Sequence, residues 1–237
     1  MKHALVVATL LLAPSFALAQ VEPDAATLLN CAAERHGFAS TEFRNSVDRG
    51  TITYFGPTGE PVAALEVDGI IDIEHQRLRV DFFIGETLVL AQQLADGEGF
   101  IYTPESGAVP LPRSERENLQ RTFFSGSYAI LPSVVHDAAS VTRDSAFLDG
   151  SADRIDLITN GVEHAIFLDD ACTIVGDYGI DPDLGEVYTR YLEHRDVDGV
   201  LMPVLGELYA MGMLFGAIET LSSAVNVPID DARFEVP

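Results

Sequence analysis

Over residues 78–84 the chain alternates with a period of two. Leu78, Val80, Phe82 and Ile84 alternate with Arg79, Asp81 and Phe83. Successive side chains of a strand point to opposite faces, so this run predicts a strand with one buried face. The pattern recurs along the chain and turn signals divide it. A strand over 51–55 meets the turn Gly56-Pro57-Thr58-Gly59 and returns over 62–67. Another over 88–94 meets Asp96-Gly97 and returns over 100–102. Ile155 and Leu157, followed by Ala165 and Phe167, suggest a hairpin about Asn160-Gly161, the strongest short hairpin signal. Residues 172–178 and 186–193 read as further strands, and Asp198-Gly199 as a further tight turn. The sum is ten or eleven strands at hairpin spacing, with no βαβ crossover. An antiparallel sheet with helices on one side is the architecture this predicts, an α+β class that is mainly β.

Two helical segments interrupt the strands. Asp24 reads as the N-cap of a helix over 25–36 ended by Gly37. Leu28, Leu29 and Ala32 form its apolar stripe, and Cys31 sits beside it. Ser114-Glu115-Arg116-Glu117 has the form of a capping box. Leu119 and Phe123 follow on one face with Phe124 beside them, and Gly126 breaks the pattern. Tyr128, Ile130, Leu131, Val134 and Val135 make a second apolar cluster split by Pro132. Residues 199–218 carry a single charge, Glu207, and the spacing Gly212-x-x-x-Gly216. A membrane span would accommodate that composition. Pro203, the central Glu207 and the lack of flanking Lys or Arg favour a hairpin of two apolar strands turning near Gly212.

The first 19 residues have the three-part pattern of a secretory leader. Lys2 is basic, residues 4–12 are apolar, and Ala17-Leu18-Ala19 offers small residues for cleavage between Ala19 and Gln20. The apolar run is shorter than the ~20 residues a span needs. No Cys follows the cleavage point, so no N-terminal lipid anchor is expected on the mature chain. Residues 20–237 then form one domain of 218 residues. Lys2 is the only lysine and leaves with the leader, so 13 arginines face 37 acids, a formal charge of −24. That surface repels nucleic acid and anionic lipid headgroups, and suits a basic docking partner if it has one. An apolar fraction of 47% supports a sizeable core. Cys31 and Cys172 match no metal motif. In an oxidising compartment they are expected to form a disulfide; the other reading is two buried thiols.

Catalytic motifs are lacking. There is no Gly-x-Ser-x-Gly, no phosphate loop and no zinc-protease pair among His36, His75, His136, His164 and His194. His36, at a helix end, fits a helix-dipole role. Asp196-Val197-Asp198-Gly199 resembles part of a calcium loop. His194 and Leu205, however, stand where that loop needs its first acid and its Glu. No metal site and no cofactor are expected.

The last part of the chain carries a specific resemblance. Residues 191–203 include Asp198-Gly199 and Pro203, and residues 225–237 read Val-Asn-Val-Pro-Ile-Asp-Asp-Ala-Arg-Phe-Glu-Val-Pro. Together with the short N-terminal helix at Gly37 and Arg49-Gly50-Thr51, they resemble the periplasmic lipoprotein-carrier group of the LolA, LolB and LppX kind. The resemblance spans nearly the whole mature chain in element order. It implies an antiparallel half-barrel of about eleven strands with helices across its concave face, and a cavity that takes acyl chains.

The expected function is therefore that of a periplasmic binder or carrier of a lipid or a lipidated protein. Leu78, Val80, Phe82, Phe100 and Tyr102 are the candidate cavity wall. Leu119, Phe123, Phe124, Tyr128 and Leu131 are the candidate lid, with Gly126 and Pro132 as its breaks. Two other readings stay open. One is a structural or interaction module of the envelope, in which the aromatic stripe fills a closed core. The other is an envelope hydrolase, which needs His164 or His194 to converge with Asp196.

Overall fold

Tight turns that match the right-handed twist of strands organise the molecule. In a computed structural model, which describes residues 20–181 and 183–235, four of these turns have two successive residues at positive φ. They are Asp96-Gly97, Asn160-Gly161, Asp198-Gly199 and Met211-Gly212. Paired positive φ values of this kind let a two-residue turn join antiparallel strands without splaying them. The leader expected over 1–19 and its cleavage point at Ala19 lie outside the described residues.

The described chain forms a 14-stranded sheet in which each sequential neighbour pair is antiparallel. Its first half is the meander β2 (Asn45–Phe55), β3 (Pro61–Asp72), β4 (Arg77–Ile84), β5 (Thr87–Ala95), β6 (Glu98–Thr103) and β7 (Gly107–Pro110). The second is β8 (Ala138–Phe147), β9 (Gly150–Thr159), β10 (Val162–Leu168), β11 (Ile174–Asp181), β12 (Gly185–Val197), β13 (Val200–Ala210) and β14 (Met213–Val225). β14 pairs with β2 and joins the halves. A two-residue strand, β1 (Gln20–Val21), adds in parallel to β8 at one edge, and β7 is the other edge. The sheet is thus open, as expected of a half-barrel, with more strands than the eleven anticipated. The excess includes the short edge strands β1 and β7, which are too brief to show a period of two. Residues 199–218 form β13 and part of β14, turning at Met211-Gly212. No helix among the described residues is long and apolar enough to cross a membrane.

The helices differ in detail from expectation. α1 spans Pro23–Arg35, so Asp24 lies inside its first turn and Glu22 is the N-cap. Pro23 explains the shift, because its fixed φ suits the first helical position. α2 spans Arg113–Arg121 with Pro112 as N-cap and no side-chain cap bond. Ser114 sits too far into the helix to cap it, so the capping box does not form.

Three apolar clusters hold the fold together. α1 buries Ala25, Ala32 and Ala33 against Phe38, Ile130, Leu131, Ile155, Ile166 and Val200. The Cys31–Cys172 disulfide fixes this helix to the β10–β11 connection, with Cα atoms 5.8 Å apart. Phe123 and Phe124, just after α2, pack on Ile71, Leu78 and Leu94. On the other side of the sheet, Phe147 stacks on Phe167 at 4.1 Å between ring centres, and Tyr178 and Tyr188 pack against them.

The C-terminal motif is a set of stitches. The Asn226 side chain accepts from the Arg44 N–H at 2.8 Å and donates to the Glu42 carbonyl at 2.8 Å. A 3-10 turn, Asp231–Phe234, then lies on the face opposite α2. Arg77 covers the Phe234 ring at 4.4 Å, and the Gln93 amide donates to the Phe234 carbonyl.

Candidate functional site

Directly opposed residues of neighbouring strands share a face. Leu78 opposes Ile71 and Leu94, Val80 opposes Gln92, and Phe82 opposes Leu90. Ile52 opposes Ile218, and Gly206 opposes both Ile218 and Tyr191. These side chains line the concave face, beneath α2 and the 3-10 turn Gly126–Ile130.

Two cavities lie there, and Thr122 at the end of α2 lines both. One, of about 300 Å³, is walled by Ile52, Val67, Ile71, Leu78, Val80, Phe82 and Ile218, with Tyr128 above. The other, of about 320 Å³, has an apolar floor of Val187, Leu208 and Phe215 and a polar rim of Asn118, Arg121, Ser125, His164, Asp177 and Asp181. Each volume is at the small end of ligand pockets, which run from ~300 Å³ upward.

The anticipated site residues separate into three groups. Leu78, Val80, Phe82 and Tyr128 line the first cavity and Leu119 the second. Phe123, Phe124 and Leu131 are buried in the core clusters, where Phe123 and Phe124 hold the cover down on the sheet. Phe100 and Tyr102 are not brought to the cavity. They oppose Gln93 and Ala91, whose side chains alternate with those of Leu94 and Gln92 and so lie on the convex face. Gly99 and Ile101 are the β6 residues on the concave side. A Cβ on Gly99 would meet Leu111 at 2.9 Å and Arg116 at 3.3 Å. The short alternation 98–103 contains apolar groups at both parities, which is why the sequence did not show which face was inner.

The cover rests on buried polar pairs. Gly126, at φ +55, lets the chain pass over Tyr191 and Asp177; a Cβ there would lie 2.8 Å from Tyr191 Oη and 3.0 Å from Asp177 Oδ2. Tyr191 donates to Asp177. Burial raises the Asp177 carboxyl above the usual carboxylate range, against the opposing effect of that bond. Asp48 is raised by burial too, while accepting from Ser223 and from Ser46 at 2.8 Å. The Tyr128 hydroxyl lies 3.4 Å from Ser46 Oγ.

Among the described residues no hydrogen bond or ion pair joins His164 or His194, the histidines proposed for hydrolysis, to Asp196; His194 Nε2 is buried without a partner. Asp196 is exposed and accepts from the Gly199 N–H within its turn. His36 is fully buried, with Nδ1 2.7 Å from the Leu201 carbonyl and Nε2 accepting from the Ile174 N–H at 3.0 Å. Its place in the structure is to bridge backbone groups, and burial lowers its pKa to about 4. His164 lies by the second cavity and is also lowered to about 4 by burial, with His136 and Arg121 adding to the shift. Arg121 and His164 carry no periodic signal, so sequence reading did not single them out as binding groups.

No protein-family model matches the sequence, and no curated protein matches it in sequence. Solved structures do match its fold. A domain described as an outer membrane lipoprotein-sorting protein from Vibrio parahaemolyticus superposes with a TM-score of 0.60 at 11% identity. A LolA superfamily protein from Nitrosomonas europaea does so at 0.58 and 12%. Both matches cover 89% of this chain and 97% of the other. The strand order, the covered concave face and these superpositions together establish that the chain has a LolA-like fold.

Proposed function

We propose that the protein is an exported periplasmic binder or carrier whose cargo is a lipid, free or attached to a protein. The acyl chain lies between the sheet and the cover formed by α2 and residues 122–131. The observation that carries this reading is the cavity walled by Ile52, Leu78, Val80, Phe82 and Ile218, an apolar space roofed by Tyr128. The similarity in fold to a lipoprotein-sorting domain supports it. The leader pattern and the disulfide support an oxidising compartment. The charge of −24 suits a basic docking partner that receives or delivers cargo.

A specific observation favours a second reading, an envelope module with a closed core. Phe123 and Phe124 are 9% and 8% exposed and already fill part of the space between sheet and cover. One experiment decides between them. Protein stripped of lipid is incubated with vesicles made from envelope lipids, re-isolated and analysed by native mass spectrometry. Stoichiometric lipid adducts support the carrier; a protein that takes up no lipid over a range of chain lengths supports the closed module.

A further inference from the structure

The polar rim of the second cavity has unequal hydrogen-bonding capacity. His136 Nε2 is 3.0 Å from the Ala129 carbonyl, so that nitrogen carries the proton. Burial keeps His136 neutral at pH 7 by lowering its pKa, so its Nδ1 is a lone pair. That lone pair is 2.7 Å from Thr159 Oγ1 and takes the one hydroxyl proton Thr159 has. Thr159 Oγ1 is also 2.9 Å from His164 Nε2, and with its proton committed it can only accept there. The chain of bonds therefore assigns the proton of neutral His164 to Nε2 and leaves Nδ1 as an acceptor. Nδ1 of His164 is buried without a partner, in a residue only 4% exposed that forms part of the cavity wall. A buried acceptor with no donor is costly, and the missing partner is a hydrogen-bond donor.

Arg121 supplies the complementary demand. Eight of the thirteen arginines lie within ion-pair distance of an acid, and Arg121 is not one of them among the described residues. Its guanidinium donates to the Ile180 carbonyl and to Asn118, two of the five N–H groups it has. Two acids, Asp177 and Asp181, line the same cavity; neither is within ion-pair distance of Arg121, and the Asp181 charge acts on Arg121 against the effect of burial. Asp181 accepts from Asn118 at 3.1 Å and from the Asp183 and Leu184 N–H groups at 2.9 Å each. Asp177 is held toward its protonated form by burial. An otherwise strongly acidic protein thus keeps, outside ion-pair distance of any acid among the described residues, a cation in the wall of a cavity with an apolar floor, and His164 lies in the same wall.

We infer that this cavity takes a single-chain amphiphile whose head joins an acidic oxygen, for Arg121, to a hydroxyl or amide hydrogen, for His164 Nδ1. The inference rests on the lipid-binding reading above and narrows its ligand class. Charge-assisted hydrogen bonds of this kind change affinity about tenfold or more. Displacement of the neutral fluorophore N-phenyl-1-naphthylamine tests it, using tetradecanoic acid, its methyl ester, 3-hydroxytetradecanoic acid and N-tetradecanoylglycine.

The acid is expected to bind about tenfold more tightly than the ester, and Arg121→Gln to abolish that preference. At least one of the hydroxy acid and the acylglycine is expected to exceed the plain acid, and which one does so distinguishes a hydroxyl from an amide donor. His164→Phe is expected to remove the gain. Imidazole 15N shifts of the unmodified protein give an independent readout: Nε2–H in the free protein, with Nδ1 moving on binding. Failure of the fluorophore and all four compounds to bind overturns the lipid-binding reading itself. Binding with no preference for acid over ester, or an unmoved His164 Nδ1 signal, overturns this inference and leaves that reading standing.

Discussion

Single residues set where the backbone can pass. Gly37 follows α1 at φ +80, and a Cβ built on it would lie 2.0 Å from the Gly199 carbonyl oxygen. Both the left-handed conformation and the backbone contact require glycine. Gly37→Ala is expected to destabilise the protein by about 2 kcal/mol or more, measured as a lower urea midpoint at unchanged slope. Buried histidines set the acid limit. His36, near His194, Arg35 and Asp169, and His164, near His136 and Arg121, both have pKa values lowered to about 4. A pKa below the unfolded value of 6.5 means that the unfolded chain binds the extra proton first. The stabilisation is complete above pH 6.5 and is lost as pH falls toward 4, by on the order of 3 kcal/mol per histidine. Asp48 and Asp177, raised by burial, act in the opposite sense, since their contribution is lost as pH rises through their folded values. Melting temperatures from pH 7.5 to 4 check the balance: His164→Phe is expected to flatten the decline, and a decline as steep as that of the unmodified protein refutes its cause.

At the scale of elements, α1 is held by a covalent link more than by its own sequence. It has no side-chain cap bond, and Ala25, Ala32 and Ala33 are its fully inward residues. The Cys31–Cys172 bond closes a separation of 141 residues. Replacing both cysteines by alanine is expected to cost about 2–5 kcal/mol, the usual range for a native disulfide. Urea unfolding of the double variant, compared with the oxidised parent, measures it; an unchanged midpoint would show that packing alone holds α1. For α2, the capping box was legible in the sequence yet is not used. Pro112 starts the helix and places Ser114 inside it, a local competition between two start signals.

At the scale of the molecule, the two faces of the sheet have different consequences. Phe82 lines the concave cavity, whereas Phe100 lies on the convex face. Phe82→Gln is expected to weaken lipid uptake from vesicles into the first cavity about tenfold, from the loss of an aromatic contact. Phe100→Gln is expected to leave it within about twofold, since it touches no part of the cavity wall. Equal losses would mean that the lipid lies at a different site. Alternation in 78–84 made the inner face of β4 readable, because polar Arg79 and Asp81 interrupt the apolar residues. Alternation failed in β6, where Phe100, Ile101 and Tyr102 are all apolar or aromatic and only pairing with β5 distinguishes their faces.

The sequence by itself determined the strand-and-turn grammar, the antiparallel class and the residues at the two-residue turns. These are local choices, set by side-chain periodicity and by the few residues that tolerate positive φ. Met211-Gly212 shows the limit of that grammar, for only its glycine was a signal. The tertiary structure alone decided that β14 closes against β2, which side chains meet across the concave face, and that Arg121 and His164 share a cavity. Those are relations between residues distant in the chain. They follow from pairing, twist and the volume left under the cover, none of which has a periodic trace in the sequence.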